Sequence, residues 1–238
     1  MIADQPLLDL GWIGAHLDDI ALRTLQHLGL SAVAVGLGFA LAFALATWAV
    51  RHRRARALIV ALAGIVYTIP SLALFAALVP FTGLSLLTAE IPLVLYTQLI
   101  LVRSILTGFD AAPAEVLEAA DALGYTRRGR FVAVELPIAV PMIVAGLRLA
   151  SVSTIGLVMI VTLIGNNFGG LGLFIKEGIT SFFPTKVYVG AALSVLLAVG
   201  ADLALARLER RLAPWAAARR AALAPAALAA LVRPAPAA

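Results

Sequence analysis

The chain has 238 residues, of which 62% are hydrophobic and 13% are charged, and its mean hydropathy is +1.02. These values exclude an ordinary soluble domain and predict one membrane domain of a few helices. Cysteine is absent, which excludes disulfides, thiolate metal sites and cysteine nucleophiles. The formal net charge is +5.

The N-terminal segment is acidic. The first 22 residues contain four aspartates and neither lysine nor arginine. A cleavable signal peptide needs a basic start, so we predict none here. Residues 1–23 are expected to form a short external segment before the first membrane span.

Five apolar segments follow, each long enough to cross a hydrocarbon core of about 30 Å at about 1.5 Å per residue. They cover residues 26–50, 57–80, 89–109, 137–165 and 187–206. Gln98 and Arg103 interrupt the third segment. Four glycines are expected to permit close packing between these helices: Gly36, Gly38, Gly146 and Gly156.

The basic residues predict how the spans are oriented. With the N-terminus outside, 14 of the 18 lysines and arginines fall on the cytoplasmic side. Arg23, Lys176 and Lys186 fall outside, and Arg148 lies within the fourth segment. The chain is therefore predicted to be N-out and C-in, and its pI of about 10.2 indicates membrane topology instead of nucleic-acid binding.

Residues from about 110 to 137 form the only long stretch that is dense in both acidic and basic charge. Asp110 is predicted to cap a helix whose first turn accepts Pro113, and Gly124 is predicted to end it in a left-handed conformation. The apolar residues of this helix share one side: Val116, Leu117, Ala120 and Leu123. We expect that side to be buried in a partner's groove, the alternative being a helix that lies on the membrane or on its own bundle.

A spaced motif runs through this stretch. Glu118-Ala119-Ala120 is followed after three residues by Gly124, and after eleven more by Leu136-Pro137. This spacing resembles the cytoplasmic coupling loop of ABC-importer permeases, through which a separate ATPase drives a membrane channel. The resemblance implies that these residues, together with Leu117 and Leu123, form an ATPase-coupling loop.

Three further stretches resemble the osmoprotectant branch of these permeases, which imports glycine betaine, carnitine and choline. They are residues 67–74, 146–150 and 169–172, with the sequences YTIPSLAL, GLRLA and GGLG. The similarity extends from about residue 24 to residue 206, the predicted ABC transporter type-1 transmembrane domain. Residues 207–238 are rich in alanine and proline and are predicted to form a cytoplasmic tail.

Three residues are candidates for a translocation path, and each has an alternative role. Pro70 interrupts the second segment, either as a structural kink or by freeing backbone carbonyls that line the path. Arg148 either reaches from the cytosolic end of its span to lipid phosphate or acts as a gate or substrate contact. Tyr67 either packs between helices or lines the pore.

The sequence offers no candidate catalytic residue, metal site or cofactor site. Its two lysines are followed by Glu177 and Val187, so a Gly-Lys-Ser/Thr phosphate loop is missing. The histidines are scattered and lack the spacing of metal ligands. We therefore expect no enzymatic activity and no bound cofactor in this chain, with ATP used by a partner subunit.

These observations predict an all-α membrane protein with about five transmembrane helices, in the bacterial cytoplasmic (inner) membrane. The resemblance implies a type I ABC-importer transmembrane domain. It also implies a cytoplasmic ABC ATPase, a second permease subunit that is the same or homologous, and an extracytoplasmic solute-binding protein as partners. Membrane lipid is the remaining expected partner, and nucleic acid is not expected.

Three alternatives stay open. A permease of the same architecture for methionine or another amino acid fits the same loop. An ion-coupled secondary transporter predicts acidic residues within the membrane, but the first two segments have none and the fifth has only Asp202 near its inner end. A non-transporting membrane scaffold gives no reason for the spacing of the loop.

Overall fold

The computed structural model describes residues 6–165 and 168–215. Every regular element in these residues is helical. The helices are α1 (Leu10–Ala15), α2 (Leu17–Arg51), α3 (Arg53–Thr68), α4 (Ser71–Thr82), α5 (Leu86–Asp110), α6 (Ala114–Ala122), α7 (Arg127–Arg130), α8 (Leu136–Val161), α9 (Gly172–Thr180) and α10 (Pro184–Leu212). A π-helical turn (Phe131–Glu135) joins α7 to α8, so that residues 127–161 form one continuous helix. The prediction of an all-α fold is confirmed.

The long helices agree with the predicted spans. Among the described residues, four helices are long and apolar enough to cross a membrane: α2, α5, the continuous helix 127–161 and α10. A fifth span is present if α3 and α4 are taken together, but these two helices meet at an angle of 95°. The second predicted segment is therefore not a straight helix. Its break lies at Ile69 and Pro70, because proline has no N–H to donate and disfavours the helical conformation of the residue before it.

Helix α5 lies at the centre of the bundle, in contact with α2, α3, α4 and α8. One apolar core cluster joins α2, α5 and α8 around Ala46, Ile105 and Ala139, near the end where α5 stops. A second cluster occupies the opposite half and includes Phe75 from α4 and Leu93 from α5. The bent α4 therefore contributes to the core, since the Phe75 side chain is fully buried.

Only two of the four glycines expected at helix contacts lie at one. A Cβ at Gly38 would lie 2.1 Å from Thr97 Oγ1, and a Cβ at Gly146 would lie 2.3 Å from the Cβ of Ser104. At Gly36 and Gly156 a Cβ would meet nothing within 4 Å among the described residues. The expectation of close helix packing is therefore not met by the described residues at this second pair.

The two ends of the bundle differ in character. At one end, which we call the N-terminal end, the Asp9 N–H donates to Thr185 Oγ1 at 2.9 Å, and the Trp12 ring packs edge-on against Phe174 and Phe183. At the other, which we call the loop end, α2, α5 and α10 finish and α3 and α7 begin. Those basic residues behind the orientation prediction that the structure describes lie at the loop end, and the N-out orientation itself stays a prediction.

At the N-terminal end, the buried His27 of α2 forms hydrogen bonds with two other parts of the chain. Its buried ring lies 3.0 Å from the Ile155 carbonyl through Nε2, and its Nδ1 accepts the Leu171 N–H at 3.4 Å. The neighbouring Gln26 accepts the Gly170 N–H at 3.1 Å through Oε1. Helix α2 thereby holds both α8 and the glycine-rich loop before α9.

Parts of the predicted terminal segments lie outside the described residues. Helix α10 continues six residues past the predicted end of the fifth span, to Leu212. Of the predicted tail 207–238, only residues up to 215 are described, and of the predicted external segment 1–23, only residues from 6 onward.

Candidate functional site

Helix α6, the centre of the candidate coupling loop, begins later than predicted. It covers Ala114–Ala122, with Pro113 at its N-cap and no side-chain cap. Asp110 is instead the last residue of α5, and its Oδ1 accepts a hydrogen bond from Arg56 Nη1 at 2.9 Å. The prediction that Asp110 caps α6 is therefore wrong. Helix α5 ends at Asp110, with Ala111 as its C-cap. It does not continue further, because Pro113 disfavours a helical conformation at Ala112.

Gly124 ends α6 as predicted. It has φ +80°, in the left-handed region, and its N–H donates to the Asp121 carbonyl at 3.0 Å. The next N–H, of Tyr125, donates to the Ala120 carbonyl at 3.1 Å. These two bonds form a Schellman motif, which satisfies carbonyls at the end of the helix. Since a Cβ at Gly124 would meet nothing within 4 Å, the backbone conformation and not lack of space requires glycine here.

The apolar side of α6 is divided between this chain and the surface. Ala120 is only 5% exposed, because it packs against its own chain. Leu117 is half-buried, whereas Leu123 is 79% exposed and Val116 is 41% exposed. The expectation that Ala120 enters a partner's groove is therefore wrong, and Leu123 is the most exposed apolar side chain of the loop. The polar side, with Glu118, is exposed together with Ala119.

Arg130 ties α6 to the start of α8. Its Nη1 lies 2.6 Å from Asp121 Oδ2, and its Nε lies 2.9 Å from Glu135 Oε1. Thr126 positions this arginine by capping α7, where its Oγ1 accepts the Gly129 N–H at 3.1 Å. Arg130 belongs to the continuous helix 127–161, so its ion pair with Asp121 connects that helix to α6.

The π-helical turn makes the contact between Arg130 and Glu135 possible. Residues five apart in an α-helix project about 140° away from each other. The wider turn, in which the Leu136 N–H donates to the Phe131 carbonyl, brings residues five apart onto one side. Pro137 follows at once and has no N–H to donate. Leu136 and Pro137 of the motif therefore mark the change from the π-helical turn to the regular α8.

The π-helical turn is anchored in the core of the bundle. The Phe131 ring lies 5.3 Å from the ring of Phe109, whose centroid is in turn 6.4 Å from that of Phe43. This aromatic row connects the loop with α5 and α2. Displacement of the loop is therefore opposed at Phe131, whereas α6 is held mainly through Ala120 and Arg130.

The path candidates of the second segment surround the bend. The Ile69 carbonyl accepts the Tyr96 hydroxyl at 2.5 Å, and the Val66 carbonyl accepts the Ile69 N–H at 3.2 Å. Tyr67, 44% exposed, packs its ring edge-on against Tyr96 at 6.0 Å. Both carbonyls, of Val66 and of Ile69, therefore accept a hydrogen bond. Because Tyr96 belongs to α5, its bond to Ile69 stabilises the bend at Pro70.

Arg148, the third path candidate, contacts acidic side chains of α10. Its Nε and Nη2 lie 2.8 and 2.9 Å from the two carboxylate oxygens of Asp202, and its Nη1 lies 3.4 Å from Glu209 Oε2. These contacts do not test the two expectations for Arg148, a lipid-phosphate contact and a gate or substrate contact, and both stay predictions.

Sequence reasoning missed two contacts of this region. Arg130 is among the basic residues that predict the orientation, but α-helical spacing separates it from Glu135, and only the π-helical turn brings the two side chains together. Tyr96 carried no sequence signal that links it to Ile69, 27 residues earlier. Among the described residues, no group of three or more His, Asp or Glu side chains could hold a metal ion.

Comparison with known proteins gives matches over most of the chain. Residues 30–214 match the family described as binding-protein-dependent transport system inner membrane component. The chain is 32% identical over 196 residues to the choline transport system permease protein OpuBB of Bacillus subtilis, covering 82% of this chain and 89% of the relative. It is 36% identical over 200 residues to the osmoprotectant import permease protein OsmW of Salmonella typhimurium, covering 82% and 92%.

Among solved structures, a chain of the MetNI methionine ABC transporter in an inward-facing conformation is similar, with a TM-score of 0.72. The match covers 83% of this chain and 98% of that one, at 21% sequence identity. At this identity the likeness concerns the fold alone.

Proposed function

The chain belongs to the family of binding-protein-dependent transport system inner membrane components, and on that premise we propose that it is the permease subunit of an ABC importer for osmoprotectants such as glycine betaine, choline and carnitine. It is a multi-pass protein of the bacterial inner membrane. The observation that carries the solute class is the similarity to osmoprotectant and choline permeases, at 32–36% identity over 82% of the chain.

The methionine alternative has weaker support. The likeness to the methionine transporter lies at 21% identity, where fold is shared across different solutes. The curated relatives named for choline, carnitine or glycine betaine are more similar in sequence, at 32–39% identity. The osmoprotectant assignment is therefore the one to test first.

ATP is proposed to act through a separate subunit bound at residues 110–137. This proposal is supported by an exposed Leu123 beside the rigid turn at Gly124, and by the connection of α6 to α8 through Arg130. A helix that exposes apolar side chains outside the bundle suits a groove on another protein. Movement of α6 by the ATPase would then reach the membrane through Arg130 and the π-helical turn.

The full importer is proposed to contain two permease subunits, two ATPase subunits and an external solute-binding protein. Alternating access would follow from rocking of the two permease halves as the ATPase dimer closes. Solute selection is proposed to lie mostly in the binding protein, where an aromatic cage suits a quaternary ammonium group.

The test is uptake in a cell that lacks its other osmolyte importers. Expression of this chain with its cognate partners should restore ATP-dependent uptake of radiolabelled glycine betaine, choline or carnitine. Entry of labelled methionine without any of these osmolytes would contradict the solute class. Uptake that persists without ATP hydrolysis and stops when the proton gradient is dissipated would instead favour the ion-coupled alternative.

A substitution at Glu90 separates the ATP-driven mechanism from the proton-coupled one. Its Oε2 is buried without a hydrogen-bond partner among the described residues, which makes it the acidic residue of α5 that a proton-coupled transporter would use. An ATP-driven importer has no need of that carboxylate, so Glu90→Gln should retain ATP-dependent osmolyte uptake. Loss of uptake in a variant that still reaches the membrane and assembles would count against the ATP-driven mechanism.

A further inference from the structure

A cleft of about 520 Å³ opens between α2, α3 and α5 at the loop end of the bundle. Its polar lining includes Arg56 and Arg103, and its apolar lining includes Val50, Val60 and Leu106. Nothing in the transport mechanism proposed above uses this cleft. A lining that is both cationic and apolar suits a ligand that has an anionic group and a hydrocarbon part.

The positive charge of the cleft comes from Arg103. Arg56 is paired with Asp110 through both guanidinium Nη atoms, so its charge is offset. Arg103 is exposed, and within residues 6–165 and 168–215 no carboxylate forms an ion pair with it. Two guanidinium groups against one carboxylate leave the cleft with about one net positive charge.

The position of Arg103 places this charge at the membrane boundary. It lies seven residues before the end of α5, which is about 10 Å of helix. An arginine at this depth is stabilised when its long side chain reaches polar groups at the interface. The paired Arg56 and Asp110 mark the polar level towards which the Arg103 side chain can extend.

The apolar part of the cleft is formed by α2, α3 and α5 together. Its side chains are Ala49, Val50, Ala57, Val60 and Leu106, and Thr107 lies beside them. A chain of methylene groups in the cleft would lie against these side chains, with the two arginines in the same lining. Free phosphate has no use for such walls, whereas an amphiphile needs both parts.

We propose that this cleft binds one anionic phospholipid from the leaflet at the loop end, which is the predicted cytoplasmic leaflet. Its phosphate lies against Arg103 and the remaining donors of Arg56, and an acyl chain lies along Val50, Val60 and Leu106. A phosphodiester carries one negative charge, which matches the net charge of the cleft. Basic pockets between membrane helices on the cytoplasmic side bind anionic head groups in this way. The proposal is independent of the transported solute.

Phosphatidylglycerol with short acyl chains is the probe for the purified full-length chain, alone or with the subunits that co-purify. It should raise the thermal midpoint at concentrations at which phosphatidylcholine of the same chain length does not. Arg103→Gln should weaken the apparent affinity for phosphatidylglycerol about fivefold, the size of the contribution of one basic residue near an anionic surface. Arg103→Lys should retain most of the response, because it keeps the charge.

Arg207→Gln is the matched control, since Arg207 is exposed near the loop end of α10 and outside the cleft. It should leave the phosphatidylglycerol response unchanged. The proposal is overturned if Arg103→Gln responds like the wild type, or if inorganic phosphate gives the same stabilisation as the lipid. It is also overturned if Arg103→Gln releases a co-purifying subunit while the lipid response persists, because Arg103 would then serve a protein interface.

If Arg103→Gln does not fold, Val60→Trp keeps the proposal testable. This change fills the apolar part of the cleft and leaves both arginines in place. It should lower the affinity for phosphatidylglycerol and leave the folded chain with its ordinary midpoint in phosphatidylcholine. An unchanged affinity in this variant contradicts the acyl-chain part of the proposal.

Discussion

Arg148 on α8 and Asp202 on α10 form a two-pronged ion pair, with nitrogen–oxygen distances of 2.8 and 2.9 Å. Glu209, two turns further along α10, lies 3.4 Å from the same guanidinium. Of the four long apolar helices, α10 buries the smallest share of its apolar window within the subunit. We therefore expect the contacts of Arg148 with Asp202 and Glu209 to contribute to the position of α10 in the subunit.

Charge reversal tests this relationship. Arg148→Glu should lower the thermal midpoint of the subunit by several degrees, because it places a third carboxylate beside Asp202 and Glu209. Arg148→Glu combined with Asp202→Arg should recover part of that loss, since the pair is restored with opposite polarity. The measurement is thermal unfolding in detergent. A double variant no more stable than Arg148→Glu alone would show that the pair does not hold α10.

The contact between Gly146 and Ser104 leads to a second prediction. Gly146→Ala would place a Cβ 2.3 Å from the Cβ of Ser104, so α5 and α8 must separate, at a cost of about 1–3 kcal/mol. Ser104→Gly in the same chain should relieve part of this cost. Gly156→Ala is the matched control on α8, because a Cβ there meets nothing within 4 Å and alanine is the better helix former.

Thermal unfolding of the three variants separates these effects. Gly146→Ala should unfold at a lower temperature than the wild type, and Gly156→Ala should not. Equal destabilisation by both substitutions would mean that the spacing of α5 and α8 differs from that described.

The turn at Gly124 gives a third prediction. Gly124→Ala forces a residue with a Cβ into φ +80°, at a cost of about 1–2 kcal/mol. Asparagine accepts this conformation more readily, so Gly124→Asn should be milder. Solute-stimulated ATP hydrolysis by the assembled importer should fall more in Gly124→Ala than in Gly124→Asn, with both subunits still in the membrane. Wild-type activity in Gly124→Ala would remove the turn from the coupling mechanism.

The sequence predicted the features that depend on composition and local conformation. Apolar length located the four long helices, and the remaining predicted segment coincides with the bent pair α3 and α4. The positive φ of Gly124 followed from the chemistry of helix ends. A kink at Pro70 was one of the two roles expected for that residue. The angle of 95° depends on the burial of Phe75 and on the hydrogen bond from Tyr96 to Ile69. The local conformational preferences of proline do not specify such an angle.

The polar contacts between distant residues were not predictable in the same way. Arg148 and Asp202 are 54 positions apart, and Arg56 and Asp110 are also 54 apart. The sequence predicted no ion-pair partner for either acid. Asp110 was interpreted as a helix cap and Asp202 as a lone charge near a helix end. Their partners follow only from the order in which α3, α5, α8 and α10 pack.

Labelling of single cysteines tests the predicted orientation, and the structure indicates where to place them. Thr180 and Arg128 are exposed at opposite ends of the bundle, and the chain has no cysteine of its own to give background. An impermeant thiol reagent should label Thr180→Cys in intact cells and should reach Arg128→Cys only after the membrane is opened. Labelling in the opposite order would reverse the orientation and would place the proposed coupling loop outside the cell.

The division of the apolar side of α6 gives the last prediction. Leu123 is 79% exposed, so Leu123→Asp should leave the permease folded and should reduce the amount of ATPase that co-purifies, because an unpaired carboxylate is costly to bury in a partner's groove. Leu212→Asp is the matched control, since Leu212 is 49% exposed at the loop end of α10, outside residues 110–137. It should not reduce co-purification.

Ala120→Asp should behave differently from Leu123→Asp. Ala120 is 5% exposed and packs within its own chain, so the aspartate must be buried there and should lower the thermal midpoint of the isolated permease. Loss of ATPase from Leu123→Asp with an unchanged permease midpoint would identify Leu123 as part of the contact surface. Full co-purification of the ATPase with Leu123→Asp would instead show that the partner does not bury Leu123.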